Sequence, residues 1–123
     1  MLQDDFYKVL SIDTVNSQVK LVLAINADHI IFSGHFPDMP VVPGVCMMQI
    51  VKEIAEKMTG TSLLLSRSDL MKFLAVVDPT VSRNLEVDFS YKKTAEGSID
   101  VSTNFSTGTT VCFKFKGKFT PIN

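Results

Sequence analysis

PGVCMMQIVKEIAEKMTG, residues 43–60, decides the architecture of this chain. Pro43 suits the first helical position, because its fixed φ is already helical and its missing N–H has no partner there. Gly60 supplies the stop. Between them Val45, Met47, Met48, Ile50, Val51, Ile54, Ala55 and Met58 occupy most of the circumference of a helix from about Pro43 to Met58. Lys52, Glu53, Glu56 and Lys57 are left as a narrow polar side. A helix so apolar has to be covered on several faces.

The cover is legible on both sides of it. Downstream, Leu85, Val87, Phe89 and Tyr91 alternate with Glu86, Asp88, Ser90 and Lys92, the pattern of a half-buried strand. After a turn at Thr94-Ala95-Glu96-Gly97, Ile99, Val101, Thr103 and Phe105 alternate with Ser98, Asp100, Ser102 and Asn104. Beyond a turn around Gly108, Val111, Phe113, Phe115 and Phe119 alternate with Cys112, Lys114, Lys116 and Lys118. Three strands with short connections make an antiparallel meander. Upstream, a strand through Leu10 and Ile12, a turn at Asn16-Ser17, and alternation at Val19, Leu21, Leu23 and Ile25 read as a hairpin. Leu63 to Val77 supplies a further strand, ending at Asp78-Pro79. The expected class is α+β, a curved antiparallel sheet wrapped around one central helix.

Length and composition fit a single domain over residues 1–123 with its own core, the hydrophobic fraction being 46%. No apolar stretch is long enough to span a bilayer, and MLQDDFYK at the start lacks the basic and apolar regions of a signal peptide, so a cytoplasmic location is expected. A formal net charge of −1 argues against broad nucleic-acid binding. Cys46 and Cys112 are far apart, form no CxxC pair, and read as reduced core residues. With two histidines six residues apart and two scattered cysteines, no metal site is expected, and no other cofactor.

The loop before the helix reads Gly34-His35-Phe36-Pro37-Asp38-Met39-Pro40-Val41-Val42-Pro43-Gly44. Pro37, Pro40 and Pro43 each fix one dihedral and remove one donor, which holds the loop still. Gly44 lets a ligand oxygen approach bare backbone N–H groups where the helix dipole is positive. His35 would face that electrophilic pocket.

The run His35-Phe36-Pro37, Pro40-Val41, Pro43-Gly44-Val45 resembles the active-site signature of the beta-hydroxyacyl-acyl-carrier-protein dehydratases, which have the hot-dog fold. The likeness extends downstream to Lys72-Phe73, Val76-Val77 and Pro79, although Leu74 and Ala75 stand where that family often has arginines. The resemblance implies that His35 abstracts the proton alpha to a thioester carbonyl, and that the N–H of Gly44, with Val45 beside it, polarises that carbonyl. It also implies that Phe36, Val45 and Met48 contact the substrate. A Glu or Asp fourteen residues after the histidine protonates the departing hydroxyl in such enzymes. Here that position holds Gln49, which can orient a hydroxyl or a water but cannot give up a proton as a carboxylic acid does.

Plainer readings stand beside these. His35 is otherwise a loop histidine bonded to backbone, Gly44 a packing glycine, and Gln49 a helix glutamine satisfied by backbone or water. His29 reads as a turn or surface histidine. Glu53, one turn beyond Gln49, is the nearest replacement acid, but about 5.4 Å along the axis puts it out of reach without a shifted substrate or a bridging water; Asp38 reads as solvated. Cys46 reads as a buried inert thiol, and at least one of Met47 and Met48 as core. Lys114, Lys116 and Lys118, extended by Lys92 and Lys93, read as a solvated strand face, with docking of an acidic carrier protein as the alternative.

The resemblance therefore leads to a (3R)-hydroxyacyl thioester dehydratase-like protein acting on a chain carried by acyl-carrier protein or coenzyme A. It also implies a homodimer or higher oligomer whose sites use both subunits. A mixed dimer with a carboxylate-bearing homologue would restore one complete site. A non-catalytic acyl-thioester-binding subunit is the reading from another class, and a hot-dog thioesterase is a weaker one, since it too needs a carboxylate.

Overall fold

The computed structural model describes residues 2–34 and 40–122. Six strands form one antiparallel sheet: β1 (Tyr7–Val15), β2 (Gln18–Ile25), β3 (Leu63–Phe73), β4 (Asn84–Lys93), β5 (Ile99–Thr107) and β6 (Thr110–Pro121). Their order is β1-β2-β4-β5-β6-β3. A short helix, α1 (Ile30–Gly34), and the long helix α2 (Gly44–Thr59) lie between β2 and β3 in the chain.

The period-2 runs become strands for the reason their pattern gives: one set of side chains enters the core and the other meets water. Val19, Leu21, Leu23, Leu85, Val87, Phe89, Ile99, Val101, Phe105, Phe113, Phe115 and Phe119 are buried, and they pack with Ile50, Val51, Ile54 and Ala55 of α2 in one hydrophobic cluster. Each large side chain so buried contributes roughly 1.5–3 kcal/mol. The β1–β2 turn falls at Asn16-Ser17 as expected, with Asn16 at φ 58°, a region asparagine tolerates. Gly97 and Gly108 occupy the left-handed region at the next two hairpin turns.

Several expectations need correcting. The strand after α2 ends at Phe73, not Val77, and it crosses to pair with β6, so β3 forms an edge. In β6 the alternation starts at Phe113: pairing steps from Phe105↔Phe113 to Ser106↔Val111, so Cys112 is a bulged residue turned inward, while Val111 is only half-buried. Pro43 is the residue before the helix, with an extended ψ of 145°, and Gly44 is the first helical residue. Glu53 is not on a wet side; it is 2% exposed. The side of α2 that the sheet leaves uncovered is the stripe Val45, Met48, Gln49, Lys52 and Glu56, with Val45 exposed and the others half-buried.

Candidate active site

The proline loop is pinned at both ends. On its N-terminal side, Asn26 Oδ1 accepts the N–H of Asp28, and His29 Nδ1 accepts the N–H of Ile31 in the first turn of α1. Phe32 of α1 is buried and stacks on Phe6 with centroids 5.4 Å apart. On its C-terminal side, Val42 is buried and its N–H donates to the carbonyl of Val77 at 2.8 Å. His35, Phe36 and Asp38 lie outside the described residues, and what the sequence expects of them rests on the sequence.

At the start of α2 the Pro43 carbonyl accepts the N–H groups of both Cys46 and Met47, at 3.0 and 3.2 Å. The N–H groups of Gly44 and Val45 precede the first N–H bonded into the helix, that of Cys46, and no side chain among the described residues caps the helix. Among the described residues neither donor finds an acceptor, which leaves both for an outside one at the positive end of a 16-residue helix. Gly44 also answers a packing demand. A Cβ there would sit 2.8 Å from the ring of Phe73, so glycine is what lets that ring lie over the helix start.

One and a half turns along, Gln49 Nε2 donates to Glu53 Oε2 at 2.9 Å. Glu53 Oε2 also accepts the N–H of Leu2 at 2.8 Å, while Oε1 accepts the N–H of Gln3 at 2.9 Å and the Tyr7 hydroxyl at 3.1 Å. Burial alone would push the Glu53 carboxyl up, but the hydrogen bonds from Leu2, Gln49, Gln3 and Tyr7 together hold it below its ordinary value. Burial, and then the Glu53 charge, push the Tyr7 phenol far above its own. Glu53 is thus an acceptor with all its lone-pair directions occupied, poorly suited to give up a proton.

Beside the helix start, Val41, Val42, Gly44, Met47, Phe73, Leu74, Ala75 and Val76 line an apolar groove of about 500 Å³. Met47 lines it and is buried, whereas Met48 and Val45 stand on the uncovered stripe of α2. Periodicity had no means of finding Phe73 and Ala75, which the β3 crossover brings to Gly44 from far along the chain.

The remaining singled-out residues are otherwise engaged. His29 Nε2 lies 3.1 Å from Asp5 Oδ2, and the ring packs edge-on against Phe6. Cys46 is buried, and burial pushes its thiol up, away from a reactive thiolate. Cys112 is also buried and free. On the outer face, Lys118 approaches Asp100 at 4.0 Å and Lys20 approaches Asp88 at 3.8 Å, so that face carries both signs. No helix among the described residues is long and apolar enough to cross a membrane.

A six-stranded antiparallel sheet closed over one long helix, with a glycine-started helix end beside an apolar groove, defines a hot-dog protein. A model of the ApeI-like family, described as ApeI dehydratase, matches residues 11–115, and the chain belongs to that family. It is similar to the 3-hydroxyacyl-acyl-carrier-protein dehydratase FabZ of Novosphingobium aromaticivorans, 31% identical over 101 residues, covering 71% of this chain. The chain spans 64% of the length of that relative. FabZ of Rickettsia felis is 28% identical over 117 residues, covering 80% of each chain. Among solved structures, the dehydratase heterocomplex ApeI:P from Xenorhabdus doucetiae superposes with a TM-score of 0.72 at 16% identity, over 91% of this chain and 96% of that one, a likeness of fold.

Proposed function

We propose that this chain is a hydro-lyase of the (3R)-hydroxyacyl thioester dehydratase type, acting on a chain carried by acyl-carrier protein or coenzyme A. The observation that carries the reading is the junction at Gly44, where two N–H groups without an acceptor among the described residues open beside an apolar groove one and a half turns before Gln49. The thioester carbonyl accepts from Gly44 and Val45, and the acyl chain follows the groove. Phe36, Val45 and Met48 complete the substrate contacts. His35 takes the proton from Cα; the electron pair forms the Cα=Cβ bond as the Cβ–O bond breaks. With Gln49 unable to supply a proton, His35 returns the one it took to the departing hydroxyl, which leaves as water. A missing general acid costs typically about 10²- to 10⁴-fold, so turnover is slow.

A second reading is favoured by the bare edge of β3, where Leu64, Leu65, Met71 and Phe73 are exposed. That edge fits a second subunit, either another copy of this chain or a homologue that brings the carboxylate, in the manner of a heterocomplex. A thioester-binding subunit without turnover is what remains if neither assembly reacts. A thioesterase is the weakest reading, because Glu53, the buried carboxylate beside the site, is fully engaged. A single domain and a cytoplasmic setting go with the proposal.

The test is single-turnover dehydration of a short 3-hydroxyacyl thioester, and hydration of the enoyl product, by the parent chain, Gln49→Glu and His35→Ala. Weak turnover in the parent, faster in Gln49→Glu and lost in His35→Ala, supports the lone-histidine enzyme. Silence from all three, with activity restored by a co-purified carboxylate-bearing homologue, supports the mixed assembly instead.

A further inference from the structure

We propose that Glu53 is a positioning residue that fixes the side-chain amide of Gln49 with its nitrogen inward, making the Gln49 carbonyl oxygen the acceptor offered to the 3-hydroxyl of a hydroxyacyl thioester. The proposal rests on the reading of Gln49 as the residue at the carboxylate position, and deepens it by stating which end of the amide meets the substrate.

An ionised carboxylate accepts and never donates, so only the amide nitrogen of Gln49 can face Glu53 Oε2, 2.9 Å away. The carboxylate is itself immobilised. Two backbone N–H groups, of Leu2 and Gln3, and the Tyr7 hydroxyl hold it from the N-terminal segment and β1, far from α2 along the chain. A side chain with four occupied acceptor directions cannot rotate without losing several bonds at once. Gln49 inherits that fixity through one bond. Its Oε1 takes no hydrogen bond from any described residue, and it stands on the uncovered stripe of α2.

An acceptor there binds the substrate hydroxyl through its hydrogen and leaves the oxygen lone pairs open to a returning proton. An outward-facing NH₂ would do the reverse, donating to that oxygen and competing for the lone pair on which departure depends. The same geometry makes a carboxyl at position 49 unusual. A Glu there would stand within hydrogen-bond range of Glu53, and two carboxylates that close do not ionise together easily, so the new one would be retained as an acid. Among the described residues, the titratable groups around position 49 are Glu53, Lys52 and Glu56 on α2 and, through Glu53, Tyr7 of β1 with Asp4 behind it. Lys52 is half-exposed and Glu56 is committed to the N–H of Leu63, so Glu53 dominates.

Two measurements test this on the full chain without relying on turnover. In the parent, side-chain amide NMR should show one slowly exchanging Gln49 Nε2 proton, with the Gln49 signal following the ionisation of Glu53. A freely exchanging Gln49 amide insensitive to that ionisation overturns the positioning role. In Gln49→Glu, carbon-detected titration should place the introduced carboxyl about one unit or more above the ordinary glutamate value of 4.5, and a value at or below it counts equally against the role.

Substrate orientation is read from binding of 3-hydroxybutyryl and butyryl N-acetylcysteamine thioesters. The parent should favour the hydroxylated probe roughly fivefold, the ratio expected of one net hydrogen bond, and Gln49→Leu should abolish the preference. Equal affinities in the parent overturn the acceptor assignment. Fixed amide and hydroxyl preference without turnover in any variant leave the positioning intact and remove the lone-histidine enzyme reading instead.

Discussion

Glu53 is the one charged side chain buried in the interior among the described residues. Its carboxylate gathers two backbone N–H groups, a phenol and an amide, all of which lose their acceptor once it is removed. Glu53→Ala is expected to cost on the order of 3 kcal/mol, measured as a fall in the urea midpoint with unchanged m-value. Because the folded carboxyl lies below its ordinary value of 4.5, the unfolded chain takes up the proton first. The contribution of Glu53 is therefore complete above pH 4.5 and is lost as pH falls through the lower folded value. Urea titrations across that range should show a decline in stability that Glu53→Gln flattens. None of this was visible in the sequence, where Glu53 sits among Lys52, Glu56 and Lys57 and reads as part of a solvated side. Its true partners, Leu2 and Gln3, are some fifty positions away and act through backbone groups that carry no side-chain signal.

At the scale of elements, periodicity was the reliable guide and packing the unreliable one. The meander of β4, β5 and β6 was legible because each strand has one wet and one dry face, so composition alone records the alternation. The start of β3 was legible as well, but its end was not. Phe73, Leu74 and Val76 are all apolar, and nothing in their order marks where the strand leaves β6. The β6 alternation set Cys112 among the outward lysines, although as a free cysteine it read as core, because a bulge shifts the face without changing residue type. Gly117 shows how tightly β3 and β6 meet: a Cβ there would collide with the Arg67 carbonyl and lie 2.6 Å from the Phe115 ring. Gly117→Ala should destabilise by about 1–3 kcal/mol, seen as a lower melting temperature. Gly44→Ala meets only the movable ring of Phe73, which is 53% exposed, so its stability cost should be under about 1 kcal/mol. Its effect should fall on thioester affinity, measured by titration with a butyryl probe.

For the whole molecule, the sheet closes on the core but not on itself. β1 and β3 are both edges, and β3 is long, bulged and studded with exposed Leu64, Leu65, Met71 and Phe73. A long apolar edge of this kind is one that natural proteins cover or block. Met71→Lys, at an already exposed position, should leave the fold unchanged and reduce the sedimenting mass of the chain toward that of one copy. A parent that already sediments as a monomer would remove the assembly reading. The proline-glycine loop marks the candidate site in the sequence because dihedral restriction is a local property. The edge did not announce itself, because a strand exposed on both faces reads much like one buried on both.

Phe73 belongs to two neighbourhoods at once: it terminates the bare edge, and its ring roofs the first residue of α2. Anything that docks along β3 therefore grips the strand whose end shapes the mouth of the groove. Dilution then becomes a functional variable. As protomers separate, thioester affinity should drift before the circular-dichroism spectrum does, and the concentration at which it drifts would report how firmly one copy holds another.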